Sequence, residues 1–151
     1  MLSVDFSELE NFIGKDIGKS DWITIDQNRI QQFADATNDH QWIHLDAERA
    51  AKELPTKSTI AHGFLTLSLI VPLSSMVCTI TGTKMTINYG LNKVRFINMV
   101  PVNSKVRLSL KVSEVNKLDN GGTQLISEAT LEIEGHDKPA YVAESIMVAF
   151  A

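Results

Sequence analysis

The sequence predicts an α+β domain in which an antiparallel sheet wraps around one long apolar helix. Three observations lead there. Helical patterning is confined to the first half of the chain and strand alternation to the second, the segregation expected of α+β folds. Residues 58–83 contain no Asp, Glu, Lys or Arg, and a helix apolar on nearly all sides belongs inside a fold. Val106, Leu108, Leu110 and Val112, then Leu125, Ser127, Ala129, Leu131 and Ile133, recur with the period of two that marks half-buried strands.

Taken in order, residues 21–25 read as a short strand. Asp26 follows as a helix N-cap, with Ile25 placed to staple onto Ile30. Ile30, Phe33, Ala34 and Thr37 form one helical stripe that ends near Asn38. Residues 39–45 keep neither period and read as a loop. Asp46 caps a short helix through Ala47, Ala50 and Ala51 that Pro55 stops. After a second loop, the apolar helix runs over about 64–77, bent by Pro72 because proline removes an internal hydrogen bond. Residues 85–89 and 92–97 read as two strands. The alternating strands follow, with Glu128, Glu132 and Glu134 on the opposite face, and residues 141–150 form the last strand. Asn120-Gly121-Gly122 and Gly135-His136-Asp137 supply the turns between them.

Composition bounds the function. The 151 residues, 44% apolar and 21% charged, suit a single domain spanning 1–151 with a sizeable core. A net charge of -4 without a Lys/Arg cluster argues against nucleic acid as a partner. One cysteine, Cys78, excludes an internal disulfide and suits a reducing compartment. No basic-then-apolar leader is legible at residues 1–7, so the cytoplasm is the expected location. The uncharged stretch 58–83 is long enough for a bilayer, but it carries His62, Gly63, Thr66, Ser68, Pro72, Ser74 and Ser75. That polar density favours a buried helix over a membrane partner.

The chemistry concentrates in Asn38-Asp39-His40-Gln41-Trp42-Ile43-His44. A carboxylate and an imidazole five residues apart do not share a helical face, but in a loop they converge on one small volume, where they hold a water and move its protons. Gly63 opens the apolar helix, so its N–H lacks an intrahelical partner and carries the positive end of the helix dipole. Glycine also admits close approach to the backbone. A carbonyl oxygen gaining negative charge needs such a donor.

The segments Phe33-Ala34-Asp35-Ala36-Thr37-Asn38-Asp39, Gln41-Trp42-Ile43-His44-Leu45-Asp46 and Ile60-Ala61-His62-Gly63-Phe64-Leu65 resemble the MaoC-like (R)-specific enoyl-CoA hydratases, and the NodN-like branch in particular. Residues 87–96 resemble that branch as well. The resemblance implies a hotdog fold and a homodimer. It implies reversible hydration of a trans-2-enoyl thioester to the (R)-3-hydroxyacyl thioester, with no cofactor beyond the coenzyme A or other pantetheine carrier that the substrate itself brings. It places the family's catalytic pair on Asp39 and His44 and its carbonyl-binding amide on Gly63. The chain departs at Gln41-Trp42, where many members have Asn-Pro, and at Val71, where some carry a pocket serine.

Each assignment has a plainer rival. Asp39 alone reads as a turn residue and His44 alone as a satisfied loop histidine; their pairing favours catalysis. Gly63 reads equally as a helix-start glycine. Asn38, Trp42 and His62 are candidates for ordering the loop or touching substrate, and His40 is expected at the surface. His40 and His44 have i,i+4 spacing, with His62 and Asp46 as further ligand candidates, but Gln41 stands where a zinc-protease motif needs Glu; no metal is expected. Cys78 reads as an inert thiol, and Lys93 and Arg95 as solvated strand charges. Rival functions are a hotdog thioesterase, disfavoured because residues 64–78 hold no Asp or Glu, a dehydratase of carrier-bound 3-hydroxyacyl chains, and a non-catalytic acyl-thioester binder.

Overall fold

The computed structural model describes residues 1–151. The chain opens with a strand β1 (Leu2–Asp5), a 3-10 turn (Phe6–Phe12), β2 (Asp16–Lys19) and β3 (Ile23–Ile25), and continues through α1 (Gln27–Thr37), α2 (Trp42–Leu45), α3 (Ala47–Glu53), α4 (Gly63–Ser68) and α5 (Ile70–Val77). It ends with β4 (Cys78–Thr81), β5 (Met85–Phe96), β6 (Ser104–Lys117), β7 (Thr123–Ile133) and β8 (Tyr141–Phe150). The main sheet is antiparallel in the order β2-β6-β7-β8-β5, with β3 pairing the next stretch of β6 beside β2. Its concave face carries α4 and α5. This is the hotdog arrangement.

The helix packs because its apolar residues are four apart. Leu65, Leu69, Leu73 and Val77 share one face and are buried with Val106, Leu108 and Leu110 of β6, Ala129 and Leu131 of β7 and Tyr141 of β8. The expected single long helix is two short ones. Pro72 has no N–H for the carbonyl of Ser68, and its ring crowds that carbonyl; the helix accordingly breaks at Leu69, three residues ahead of Pro72. Hydroxyls of Thr66 and Ser68 bond the carbonyls of Gly63 and Leu65.

Two other expectations change, and one element was not foreseen. The loop at 39–45 contains one helical turn, α2, too short for periodicity to register. The two strands expected over 85–97 are one strand, β5, kinked by irregularities between Asn88 and Gly90 and between Leu91 and Lys93, which is why its pattern looked interrupted. The N-terminal strand β1 pairs in parallel with β4, and its Val4, with Leu9, seals a second apolar cluster against Leu125 and Ala149.

The caps behave as read. Asp26 accepts from Arg29 N at 2.8 Å, Asp46 accepts from Arg49 N at 2.9 Å, and Ile25 and Ile30 are both fully buried. On the outer face, burial would raise the Glu132 carboxyl, but hydrogen bonds from Lys19 and Arg107 outweigh it and hold the group below its ordinary range.

Candidate active site

The site begins where α1 ends. Asn38 caps α1 in the left-handed region, φ 58° and ψ 25°, a conformation asparagine tolerates better than most residues. The reversal delivers the exposed Asp39 to the start of the next turn. The Asp39 carboxylate accepts from the Gln41 backbone N–H at 3.4 Å, and α2 then places His44 inward, where it is buried.

His44 is held from three sides. Its Nδ1–H donates to the Ile60 carbonyl at 2.7 Å. That bond requires a proton on Nδ1 and leaves Nε2 as the lone-pair nitrogen of the neutral ring. The Ile60 N–H donates in turn to the Ile43 carbonyl. Gln27 bridges the two loops: its amide nitrogen donates to the His44 carbonyl at 2.8 Å, and its amide oxygen accepts from the Thr59 hydroxyl at 2.6 Å. Burial pushes His44 below the ordinary imidazole range against the opposing Ile60 bond; nearby His62 adds to the lowering and Asp39 works against it.

His62 is also buried. Its Nε2–H donates to the Asp39 carbonyl at 3.0 Å. Its ring stacks on His44 with centroids 3.7 Å apart and planes at 23°, and Phe33 flanks it at 4.9 Å. The second nitrogen, Nδ1, is buried without a hydrogen-bond partner. Gly63 follows as the first residue of α4, and its N–H makes no backbone hydrogen bond. A Cβ on Gly63 would stand 3.1 Å from the Phe96 ring, so a larger residue would push against that ring.

The structure therefore brings Asp39, His44 and His62 together, with one polar side-chain atom of each within 4.8 Å of the others, and sets Gly63 next to His62 in the chain. It does not bring in His40 or Asp46. His40 lies at the surface against Asp35 at 2.8 Å, and Asp46 is occupied as a cap. Trp42 lies under the Arg49 guanidinium at 3.9 Å and packs the outside of α2. The Arg95 guanidinium is exposed and donates to the Val94 carbonyl. Cys78 is half-buried, and burial raises its thiol. As residues that shape the site, Gln27, Thr59, Ile60, Phe33 and Phe96 carried no signal of that role in the sequence. Only the Thr59 and Gln27 side chains carried a polar signal, and they lie 32 positions apart.

A metal ion fits this trio poorly. Imidazole ligands bind zinc through in-plane lone pairs about 2.0–2.1 Å from the ion. Two rings stacked nearly parallel send those lone pairs side by side instead of toward one point. What the arrangement suits is proton transfer: an exposed carboxylate, a neutral imidazole of fixed tautomer, and a free amide nearby.

A cleft of about 800 Å³ opens one residue beyond Gly63, at Phe64, and runs between the helix and the β5–β8 side of the sheet. Asp39 and His44 do not line it.

Known proteins resemble this chain over most of its length. Residues 8–132 match the MaoC-like domain. The chain is 51% identical over 141 residues to the 3-hydroxyacyl-thioester dehydratase Z of Mycobacterium tuberculosis, covering 93% of each. It is 44% identical over 151 residues to nodulation protein N of Rhizobium leguminosarum bv. viciae, covering 98% of this chain and 92% of the relative. Among solved structures, the unliganded R-hydratase PhaJ1 of Pseudomonas aeruginosa superposes with a TM-score of 0.71 at 27% identity, over 95% of this chain and 84% of that one. With a family match over most of its length and close relatives over nearly all of it, the chain belongs to the MaoC-like dehydratase family and is a hydro-lyase.

Proposed function

We propose that this enzyme is an (R)-specific enoyl-thioester hydratase, catalysing reversible addition of water to trans-2-enoyl thioesters to give (R)-3-hydroxyacyl thioesters. The observation that carries the reading is the convergence of Asp39, the neutral His44 and His62, with the free Gly63 amide following His62 in the chain. Asp39 and the His44 Nε2 hold the attacking water. Its oxygen bonds to the β-carbon, one of its protons passes to the pair, and a proton is returned to the α-carbon, so the site ends as it began. The thioester oxygen carries the negative charge between these events, and the Gly63 N–H stabilises it. The pair shares the two proton transfers. No cofactor takes part; the substrate brings its own coenzyme A or carrier pantetheine.

The name of the mycobacterial relative, a 3-hydroxyacyl-thioester dehydratase, describes the same equilibrium from the other side and supports the reading. We further propose a homodimer. β5 is the free edge of the sheet, and it exposes Met85, Ile87, Tyr89 and Leu91, an apolar edge of the kind soluble proteins cover. Purified protein is expected to consume the enoyl absorbance of crotonyl-CoA and to yield the (R)-3-hydroxy product on chiral analysis. Thiol release with the enoyl absorbance intact would instead identify a thioesterase.

A further inference from the structure

His44 is held by its ring and by its main chain at once, and both holds lead to the same short segment, residues 59–60. The ring bond is direct: Nδ1–H donates to the Ile60 carbonyl at 2.7 Å. The main-chain hold passes through Gln27, whose amide nitrogen donates to the His44 carbonyl at 2.8 Å while its amide oxygen accepts from the Thr59 hydroxyl at 2.6 Å. Thr59 and Ile60 are neighbours in the chain, so the bonds close a circuit from His44 through Ile60, Thr59 and Gln27 back to His44.

The circuit matters because α2 cannot hold itself. One turn of helix forms at a net cost and leaves its last carbonyls without intrahelical donors. Two of those carbonyls are met from outside, that of Ile43 by the Ile60 N–H at 3.1 Å and that of His44 by Gln27. The 59–61 segment is anchored from behind. The Val102 N–H donates to the Thr59 carbonyl at 2.9 Å, the Ala61 N–H donates to the Val100 carbonyl at 2.8 Å, and Ile60 bridges to Pro101. The anchored segment sets the position, and Gln27 is the strut that transmits it to the main chain of His44.

Few side chains could serve. The His44 carbonyl accepts and never donates, so an N–H must face it; this fixes the orientation of the amide and turns its oxygen to the Thr59 hydroxyl, which donates. An ionised Glu has no donor for the carbonyl, and Lys has no acceptor for the hydroxyl. Asn is one methylene shorter. Gln27 is the first residue of α1, where side chains lean toward the helix N-terminus and so reach past its end, and the Asp26 cap fixes where that end lies. Thr59 is 1% exposed, so solvent does not compete for its hydroxyl.

We infer that Gln27 is a positioning residue for the reaction: through Thr59 it locks the main chain of His44 to the loop that holds its ring, and so aims Nε2. The inference rests on the hydratase reading for what Nε2 does. It adds a determinant of rate that lies outside the cluster of Asp39, His44 and His62 and acts only through His44.

The test measures kcat and KM for crotonyl-CoA hydration in the wild type, Gln27→Met, Thr59→Val, Thr59→Ser and the double variant of Gln27→Met with Thr59→Val. Met keeps the length of Gln and removes both polar ends; Val keeps the shape of Thr and removes the hydroxyl. Gln27→Met is expected to lower kcat by about tenfold to a hundredfold with KM nearly unchanged. Thr59→Val is expected to shift kcat in the same direction, and Thr59→Ser, with the hydroxyl restored, to recover most of that loss. The double variant is expected to lose about as much as Gln27→Met alone, because one strut cannot be broken twice. A natively melting Gln27→Met enzyme with wild-type kcat overturns the inference, as does a loss confined to KM. If Gln27→Met does not fold, the Thr59 pair decides, and equal kcat in Val and Ser overturns it. If the wild type hydrates neither crotonyl-CoA nor dodecenoyl-CoA, the hydratase reading fails on its own. The imidazole nitrogen shifts of His44 in isotope-labelled protein then still decide the strut: a single Nδ1–H tautomer that becomes a mixture in Thr59→Val upholds it, and unchanged shifts remove it.

Discussion

His62 touches both members of the proposed catalytic pair, so His62→Phe probes how the site is held. Phenylalanine keeps an aromatic face against His44 but removes the Nε2–H bond to the Asp39 carbonyl. A typical hydrogen bond contributes about 0.5–1.5 kcal/mol net. Asp39 is exposed, so water replaces the lost donor and the cost lies at the low end. The substitution also deletes the buried Nδ1, which has no partner and whose desolvation costs about 1–3 kcal/mol. The two effects have opposite sign, and stability is expected to change by no more than about 1 kcal/mol. Activity has no such offset. A loop released by about 1 Å costs roughly a hundredfold in rate, borne by kcat more than by KM. His62 also helps lower His44, so its removal is expected to move the acid limb of the pH–rate profile upward. Enoyl absorbance followed across pH, with a urea melt alongside, measures all three. Wild-type kcat with an unmoved acid limb would show that His62 only fills space.

Asp39→Asn and His44→Ala are each expected to lower hydration by about 10²–10⁴-fold while retaining a native melt, and the double variant to lose far less than the product of the two; full activity in either single variant removes the site assignment. Gly63→Ala sets a methyl 3.1 Å from the Phe96 ring and is expected to reduce crotonyl-CoA turnover about tenfold or more, with partial recovery in a second variant that also carries Phe96→Leu. Because burial lowers His44 in the folded state, the unfolded chain binds more protons there. The stability His44 contributes is therefore fully present above the ordinary imidazole value, about 6.5, and is lost as pH falls toward the lower folded value. Chemical denaturation at descending pH should show this slope in the wild type and a shallower one in His44→Ala.

Much of this molecule is legible in its residues because the decisive signals are local. Asp26 and Asp46 announce their helices, the alternation from Val106 to Ile133 announces two strands, and Asp39, His44 and Gly63 stand out by residue type. What stays hidden depends on partners far away in the chain. β1 and β2 are four residues each and exist because β4 and β6 pair with them. α2 is one turn, held by the loop that carries Ile60. The break at Leu69 follows from Pro72, whose bend is legible but whose effect is felt three residues earlier. Gln27, on the first turn of α1, carries no mark of its role, since its partners His44 and Thr59 become neighbours only on folding. The stack of His62 on His44 is equally invisible: adjacency of rings is a tertiary fact.

The interruption at Leu69 divides the helix into two mechanical bodies. α4 carries the Gly63 amide, and α5 carries the residues that form the remote part of the cleft. Because the two segments do not share one continuous hydrogen-bond ladder, substitutions along α5 that deepen or fill the cleft need not re-aim the amide at the tip of α4.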